Sequence, residues 1–390
     1  MRILVSGLLA QYPFGGVVWD YVQYLIGFRD LGHDVWYLED SGEWPYHPVE
    51  QTYTEDASHN VAALGRLLGE FGFGDRWIYR NGANGQFYSA GGLLGEKEAR
   101  ALVRDADLLA NVSGAANLTD YDFGKGHRMY LDGDPMFTHV DFVSNAPKAA
   151  LIRAHHSHFT FGLNVGAADC RVPTGGLDWK KTVQPVSLRH WPVLPEEPRH
   201  GYTTVMNWAS YAPRTWEGEE YGQKDLEFRR FFDLPKRVPG ERLTLAMGQG
   251  PKRQRPTEAL RDVGWEILEP NEVVPDPFSY RAFLSRSKGE WSIAKNGYVR
   301  SRSGWFSCRT ACYLAAGRPA VVQETGWSAH LPHGPEAGVY PFATEDDVAA
   351  AMEAISRDYE GNRRAARRMA EEHFDAPKVC RDLLVQAGLE

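Results

Sequence analysis

The chain has 390 residues, 43% of them hydrophobic and 24% charged, with a formal charge of −8. That composition describes a globular protein too long for one ordinary domain and suited to two of about 150–200 residues. No stretch approaches the roughly 18 uninterrupted apolar residues of a membrane span, and the acidic balance argues against a nucleic-acid partner, which usually requires a basic stripe.

The opening MRILVSGLLA turns polar too soon for a signal peptide. Arg2 to Ser6 is instead a first buried strand, and a cytoplasmic location is the expectation. A glycine-containing loop follows, Gly7 to Gly16, then a helical pattern from Val17 to Leu31 that Gly32 stops. His33 to Leu38 alternates as a second strand and ends at Glu39-Asp40. This is a βαβ opening, but Gly7, Gly15 and Gly16 do not make the G-x-G-x-x-G dinucleotide fingerprint. Glu39 sits where a ribose-binding acid would, without the glycines that would justify that role. Gly15 and Gly16, at a helix start, would let an acceptor or a diphosphate approach the backbone closely.

Asp107 to Val112 and Arg128 to Leu131 are further strands. The second runs into Asp132-Gly133-Asp134-Pro135, which is turn chemistry that also sets a carboxylate at a strand's carboxyl end. His155, His156 and His158 precede an aromatic strand. Packing, an acid–base role for His158, and a metal site are all open there, although no Asp, Glu or Cys stands beside them at ligand spacing. Cys170, Cys308, Cys312 and Cys380 have no zinc spacing. Cys308 and Cys312, four apart on a predicted helix, are expected to pack. Prolines crowd the span from Pro185 to Arg199, marking a linker.

A second strand–helix series begins at Tyr202. Lys224 opens a helix, and the loop from Gly248 to Pro256 carries Lys252, Arg253 and Arg255. The most informative stretch runs from Glu290 to Trp327. It reads as a strand, a polar loop, a helix from Phe306 to Ala316, a buried strand from Ala320 to Gln323, and the loop Glu324-Thr325-Gly326-Trp327. Both loops leave the carboxyl ends of strands, where open α/β sheets bind ligands. Helix N-termini there favour phosphate. Alternating elements of this kind imply parallel sheets.

SGWFSCRTACYLAAGRPAVVQETGW, Ser303 to Trp327, resembles the donor-binding segment of bacterial group 1-type glycosyltransferases, and YGQKDLEF, Tyr221 to Phe228, is similar to that domain's first loop-to-helix step. The resemblance spans Tyr221 to Phe342; over the N-terminal half it is architectural only. It implies an α/β protein of GT-B architecture, with two Rossmann-like domains facing a cleft. Residues 1–190 would form an acceptor domain and 200–375 a nucleotide-sugar domain, with 376–390 a helix packing back on the first. It implies a hexosyltransferase moving sugar from a UDP- or dTDP-linked donor to a small-molecule or glycan hydroxyl. No cofactor or metal is expected, and the partners are the donor and an acceptor rather than nucleic acid. Implied donor-binding residues are Lys224, Arg302, Ser303, Gly304, Trp305, Phe306, Ser307, Arg309, Glu324, Thr325 and Gly326. Gly15 and Gly16 would face the acceptor.

Where retaining members of that group carry two Glu flanking the helix, this chain has Ser307, Arg309 and Cys312. Phosphate charge would then rest on cations and helix N–H groups, and a general base would come from the other domain, with Asp134 and His158 the candidates. Asp132 would hold a histidine's tautomer or cap its turn. An epimerase, a phosphorylase-like enzyme and a non-catalytic nucleotide-sugar-binding module are the alternatives on the same architecture.

Overall fold

A computed structural model describes residues 1–47, 50, 52–249 and 254–390; Lys252 and Arg253 lie outside the described residues. In the first half the strands are β1 (Arg2–Ser6), β2 (Asp34–Glu39), β3 (Tyr46–His47), β4 (Thr52–Tyr53), β5 (Trp77–Arg80), β6 (Phe87–Ser89), β7 (Gly92–Leu94), β8 (Leu108–Val112), β9 (His127–Asp132), β10 (Ser157–Thr160) and β11 (Trp179–Lys181). Nine of these form one sheet in the order β11-β10-β9-β8-β1-β2-β5-β6-β7, while β3 and β4 make a separate hairpin. The sheet is parallel from β11 to β5 and turns antiparallel only at β6 and β7. Its central strands, such as ILV in β1, are buried on both faces, as helix-covered parallel strands must be.

The second half contributes β12 (His200–Asn207), β13 (Arg214–Trp216), β14 (Glu219–Tyr221), β15 (Leu243–Gly248), β16 (Glu266–Leu268), β17 (Ser287–Ser292), β18 (Ala320–Gln323) and β19 (Val339–Phe342). A six-stranded parallel sheet runs β16-β15-β12-β17-β18-β19. The polar span from Ser210 to Gln223 contains the β13–β14 hairpin, turned at Glu217 and Gly218 with φ of 51° and 76°. The polar run after β17 is also not a loop. Asn296–Ser301 is a helix that ends on left-handed Arg302.

The two halves share one apolar cluster. Trp19 and Val18 of the first helix, α1 (Gly15–Asp30), pack in it with Tyr280, Phe306 and Cys312 of the second half. The Trp19 indole donates to the Pro277 carbonyl at 2.9 Å. The C-terminal helix Ala376–Ala387 crosses back onto α1. Gly27 is required at that crossing, because a Cβ would meet Cys380 Sγ at 2.5 Å and the Ala376 carbonyl at 2.8 Å. Among the described residues, no helix is long and apolar enough to cross a membrane.

Candidate active site

A cavity of about 940 Å³ lies between the halves. From the first half it is lined by the start of α1 (Phe14, Gly15, Gly16, Asp20) and by the exits of β8 and β9 (Ser113, Gly133, Asp134). From the second half come Lys224, Lys295, Tyr298, Trp305, Ser307 and Arg309, among others. Two helices therefore point their N-termini into one space: α1, and Cys308–Ala315, which follows Ser307. Neither has a side-chain cap or an acidic residue in its first turn. Their free N–H groups and dipoles leave positive potential there.

Cations reinforce it. Arg309 is held rigidly, donating to Glu290 at 2.6 Å, Ser292 Oγ at 2.9 Å and the Val205 carbonyl at 2.6 Å. Lys224 has no hydrogen-bond or ion-pair partner among the described residues. Burial, then the charges of Arg309 and Lys295, push its ammonium well below the ordinary lysine value. A cation held against like charges in a poorly solvated space is stabilised by an arriving anion.

Asp134 faces the cavity but is occupied. Lys295 Nζ lies 3.1 and 3.2 Å from its two oxygens, and the hydroxyls of Tyr211 and Tyr298 donate to it. The turn that presents it is set by Asp132, whose Oδ1 accepts from the Asp134 N–H at 3.0 Å. Asp132 is paired with His139, at 3.2 Å, not with His158. Burial alone would raise the Asp132 pKa, but the hydrogen bond and charge of His139 hold it below the usual carboxylate range. His139 had no signal in the sequence beyond its identity.

His158 does not reach the cavity. It is buried on β10, its Nε2 lies 2.8 Å from the Ile152 carbonyl, and its ring meets Trp179 edge-on. Alternation along the strand points it into the packing beneath the sheet. His155 and His156 are likewise absent from the cavity lining, and no cluster of three or more His, Cys, Asp or Glu among the described residues could hold a metal ion. Glu39 is not a ribose ligand either, being fully used by the β1–α1 loop. It accepts from the Ala10 N–H at 2.7 Å, the Gln11 N–H at 2.9 Å and the Tyr37 hydroxyl at 2.5 Å.

The expected donor residues divide into two groups. Lys224, Trp305, Ser307 and Arg309 line the cavity. The others do not line it: some build a seam between the halves, and the rest pack or bond within the second half. Asn164 N–H donates to the Ser303 carbonyl at 3.1 Å, and the Asn164 amide to the Arg302 carbonyl at 2.9 Å. A Cβ on Gly304, where φ is +78°, would stand 2.3 Å from the Asn164 nitrogen. Arg302 turns outward to Asp169 at 2.8 Å. Phe306 stacks on Phe374 at 5.4 Å. Thr325 donates to the Trp305 carbonyl at 2.7 Å, Glu324 accepts from the Gly326 N–H, and Gly326 packs against Asn164. Gly15 and Gly16 do line the cavity, but Gly15 also meets the opposite half, where a Cβ would lie 2.6 Å from Tyr280.

Two residues without a role in the sequence reading belong to the site. Lys295 bridges the halves through Asp134. Asp20, one helical turn beyond Gly16 and so on the same face of α1, lines the cavity opposite Cys308 and Arg309. Burial pushes its carboxyl up to about 7, against the lowering effects of the Cys308 hydrogen bond and the Arg309 charge. Its spacing from the glycine pair was the available signal. Cys308 packs against the shared apolar cluster as expected, and it also lines the cavity.

No family model matches the sequence, and no curated protein matches it. Solved structures do. An alpha-glucosyltransferase in complex with UDP and a 13-mer DNA containing an HMU base has a TM-score of 0.57 at 12% identity, covering 100% of this chain and 99% of that one. A sucrose-phosphate synthase from Thermosynechococcus elongatus gives 0.54 at 9%, with 99% of each chain covered. Anabaena HepE in complex with UDP gives 0.55 at 10%, again with 99% of each covered. The chain thus has the two-domain α/β fold of the GT-B glycosyltransferases. One expectation is overturned by the same finding. The acidic balance was taken to exclude a nucleic-acid partner, yet the fold is shared with an enzyme solved on DNA, including DNA with an abasic site. Net charge is a property of the whole surface and does not decide what one cleft admits.

Proposed function

We propose that this chain is a glycosyltransferase that moves a sugar from a nucleoside-diphosphate donor to an acceptor hydroxyl in the cavity between its two sheets. The observation that carries the reading is Lys224, a cavity side chain with no hydrogen-bond or ion-pair partner among the described residues, beside Arg309 and the N-terminus of helix Cys308–Ala315. As the glycosyl bond breaks, negative charge grows on the departing diphosphate. Pre-oriented cations and N–H donors stabilise that charge without reorganising, and without a metal ion.

On this reading Asp20 accepts the acceptor's proton. Among the described residues no cation stands at ion-pair distance from it, unlike Asp134, and its value near 7 suits a base working at neutral pH. Asp134 is a positioning residue that fixes Lys295 and the two tyrosines. UDP and dTDP should raise the melting temperature with or without EDTA, and a nucleotide-sugar panel should identify a donor. Because the fold is shared with a protein solved with UDP and DNA together, the acceptor panel includes oligonucleotides beside glycans and small alcohols. If no nucleoside diphosphate stabilises the protein, the reading fails.

A further inference from the structure

Aromatic rings lead out of the cavity along the surface of the first half. Phe14, at the cavity mouth, is 42% exposed and stacks on Tyr12 with centroids 6.3 Å apart. Tyr53, a neighbour of Tyr12, is 57% exposed and meets the ring of Tyr46 at 5.4 Å. Trp44, also exposed, belongs to the same segment. The rings stand on a pinned base. Glu39 holds the loop under Tyr12, and the Asn60 amide donates to both the Ala10 carbonyl at 2.9 Å and the Tyr46 carbonyl at 3.0 Å, tying hairpin to loop.

Exposed rings in a row are costly to leave in water and mark a binding surface. Their chemistry narrows the occupant. Each tyrosine offers an apolar face with a hydroxyl at its edge, which fits a ligand that is apolar on one side and polar at its rim. A pyranose ring has that character, with C–H bonds on its face and hydroxyls around it. The segment that carries Tyr46 and Tyr53 is one-sided in charge, since between Arg29 and Arg66 the chain has no Lys or Arg but contains Glu43, Glu50, Glu55 and Asp56. Carboxylates accept hydrogen bonds from sugar hydroxyls, whereas a phosphodiester track usually meets basic side chains.

We infer that the Phe14–Tyr12–Tyr53–Tyr46 row is the outer acceptor subsite, and that the acceptor is a neutral oligosaccharide lying along it with one end in the cavity. The inference rests on the glycosyltransferase reading and is tested apart from turnover. Neutral oligosaccharides of two to six units, from several linkage types, are titrated into the full-length protein by calorimetry in the presence of UDP. At least one series should bind, tightening with length, and Tyr53→Ser should weaken it about tenfold. Tyr53→Phe, which keeps the ring and loses only the edge hydroxyl, should bind more tightly than Tyr53→Ser. UDP stabilisation should be the same in all three proteins.

UDP binding without saccharide binding overturns this inference and leaves the transfer reading standing; loss of UDP binding in the parent protein overturns the transfer reading itself. Ring-dependent binding of an oligodeoxynucleotide in place of saccharide assigns the row to nucleic acid and overturns the inference as well.

Discussion

Two groups of residues in the second half, all expected to hold the donor, have opposite uses. The turn Arg302–Gly304 and the loop Glu324–Gly326 carry the glycines, hydroxyls and charge expected of a phosphate cradle, yet the turn is spent on Asn164 and Asp169 of the other half, and the loop on Trp305 and on its own backbone. Lys224 and Arg309 look less distinctive in the sequence, yet they line the cavity. A loop at the edge of a sheet has two neighbours, the ligand space and the facing domain. Composition cannot say which one its donors meet, because both reward the same backbone groups.

The comparison breaks or sharpens most strongly at Asp20. Asp20→Asn should lower kcat by roughly a hundred- to ten-thousandfold while leaving UDP stabilisation in place. In the parent protein the rate should rise with pH through about 7, as Asp20 loses its proton, and the variant should lack that limb. Steady-state rates across pH 5.5 to 8.5 check both.

Lys224→Ala should abolish UDP-induced thermal stabilisation and cut kcat/KM by roughly a hundred- to thousandfold. A variant that still responds to UDP as the parent does would remove Lys224 from the phosphate site.

Seam substitutions should behave inversely. Gly304→Ala forces a Cβ against the Asn164 backbone at a positive φ, at a cost on the order of 3 kcal/mol. Calorimetry should show a lower Tm with the UDP-induced increment retained.

Glu39 gives a comparable effect through pH. Burial raises its carboxyl from 4.5 to about 7, so the folded state holds a proton that the unfolded state has already released. Stability from this group is complete below pH 4.5 and is lost as pH rises to about 7, by on the order of 3 kcal/mol. Asp20 contributes with the same sign. Urea denaturation of Glu39→Gln at several pH values should show a shallower slope.

The smallest effect belongs to Arg302→Ala, which removes an exposed pair with Asp169. It should change stability by less than about 1 kcal/mol and leave the UDP response intact.

Much of the fold was legible. Arg2–Ser6, Leu108–Val112 and Ala320–Gln323 read directly as strands, because buried parallel strands are continuous apolar runs. Elements whose stability comes from elsewhere were not legible. The hairpin β13–β14 and the helix Asn296–Ser301 are polar, and the latter is held by burial of Gly297, Tyr298 and Ser301 beneath other elements. Among site residues, Gly15 and Gly16 could be named because a glycine pair at a helix start lets a ligand approach the backbone closely. Asp20 did not, because one carboxylate on a helix resembles every solvated one.

The sequence by itself determined the alternation of strands and helices, and with it two parallel sheets whose strand ends face a ligand space. Those features depend on local propensity and hydrophobic period, which are written in consecutive residues. Tertiary structure decided which loops join the halves and which face the cavity, that Asp134 is bound by Lys295, and that His158 is buried. Each of these depends on where a side chain from a distant part of the chain arrives, and a desolvated charge or a satisfied donor is defined only by that neighbour.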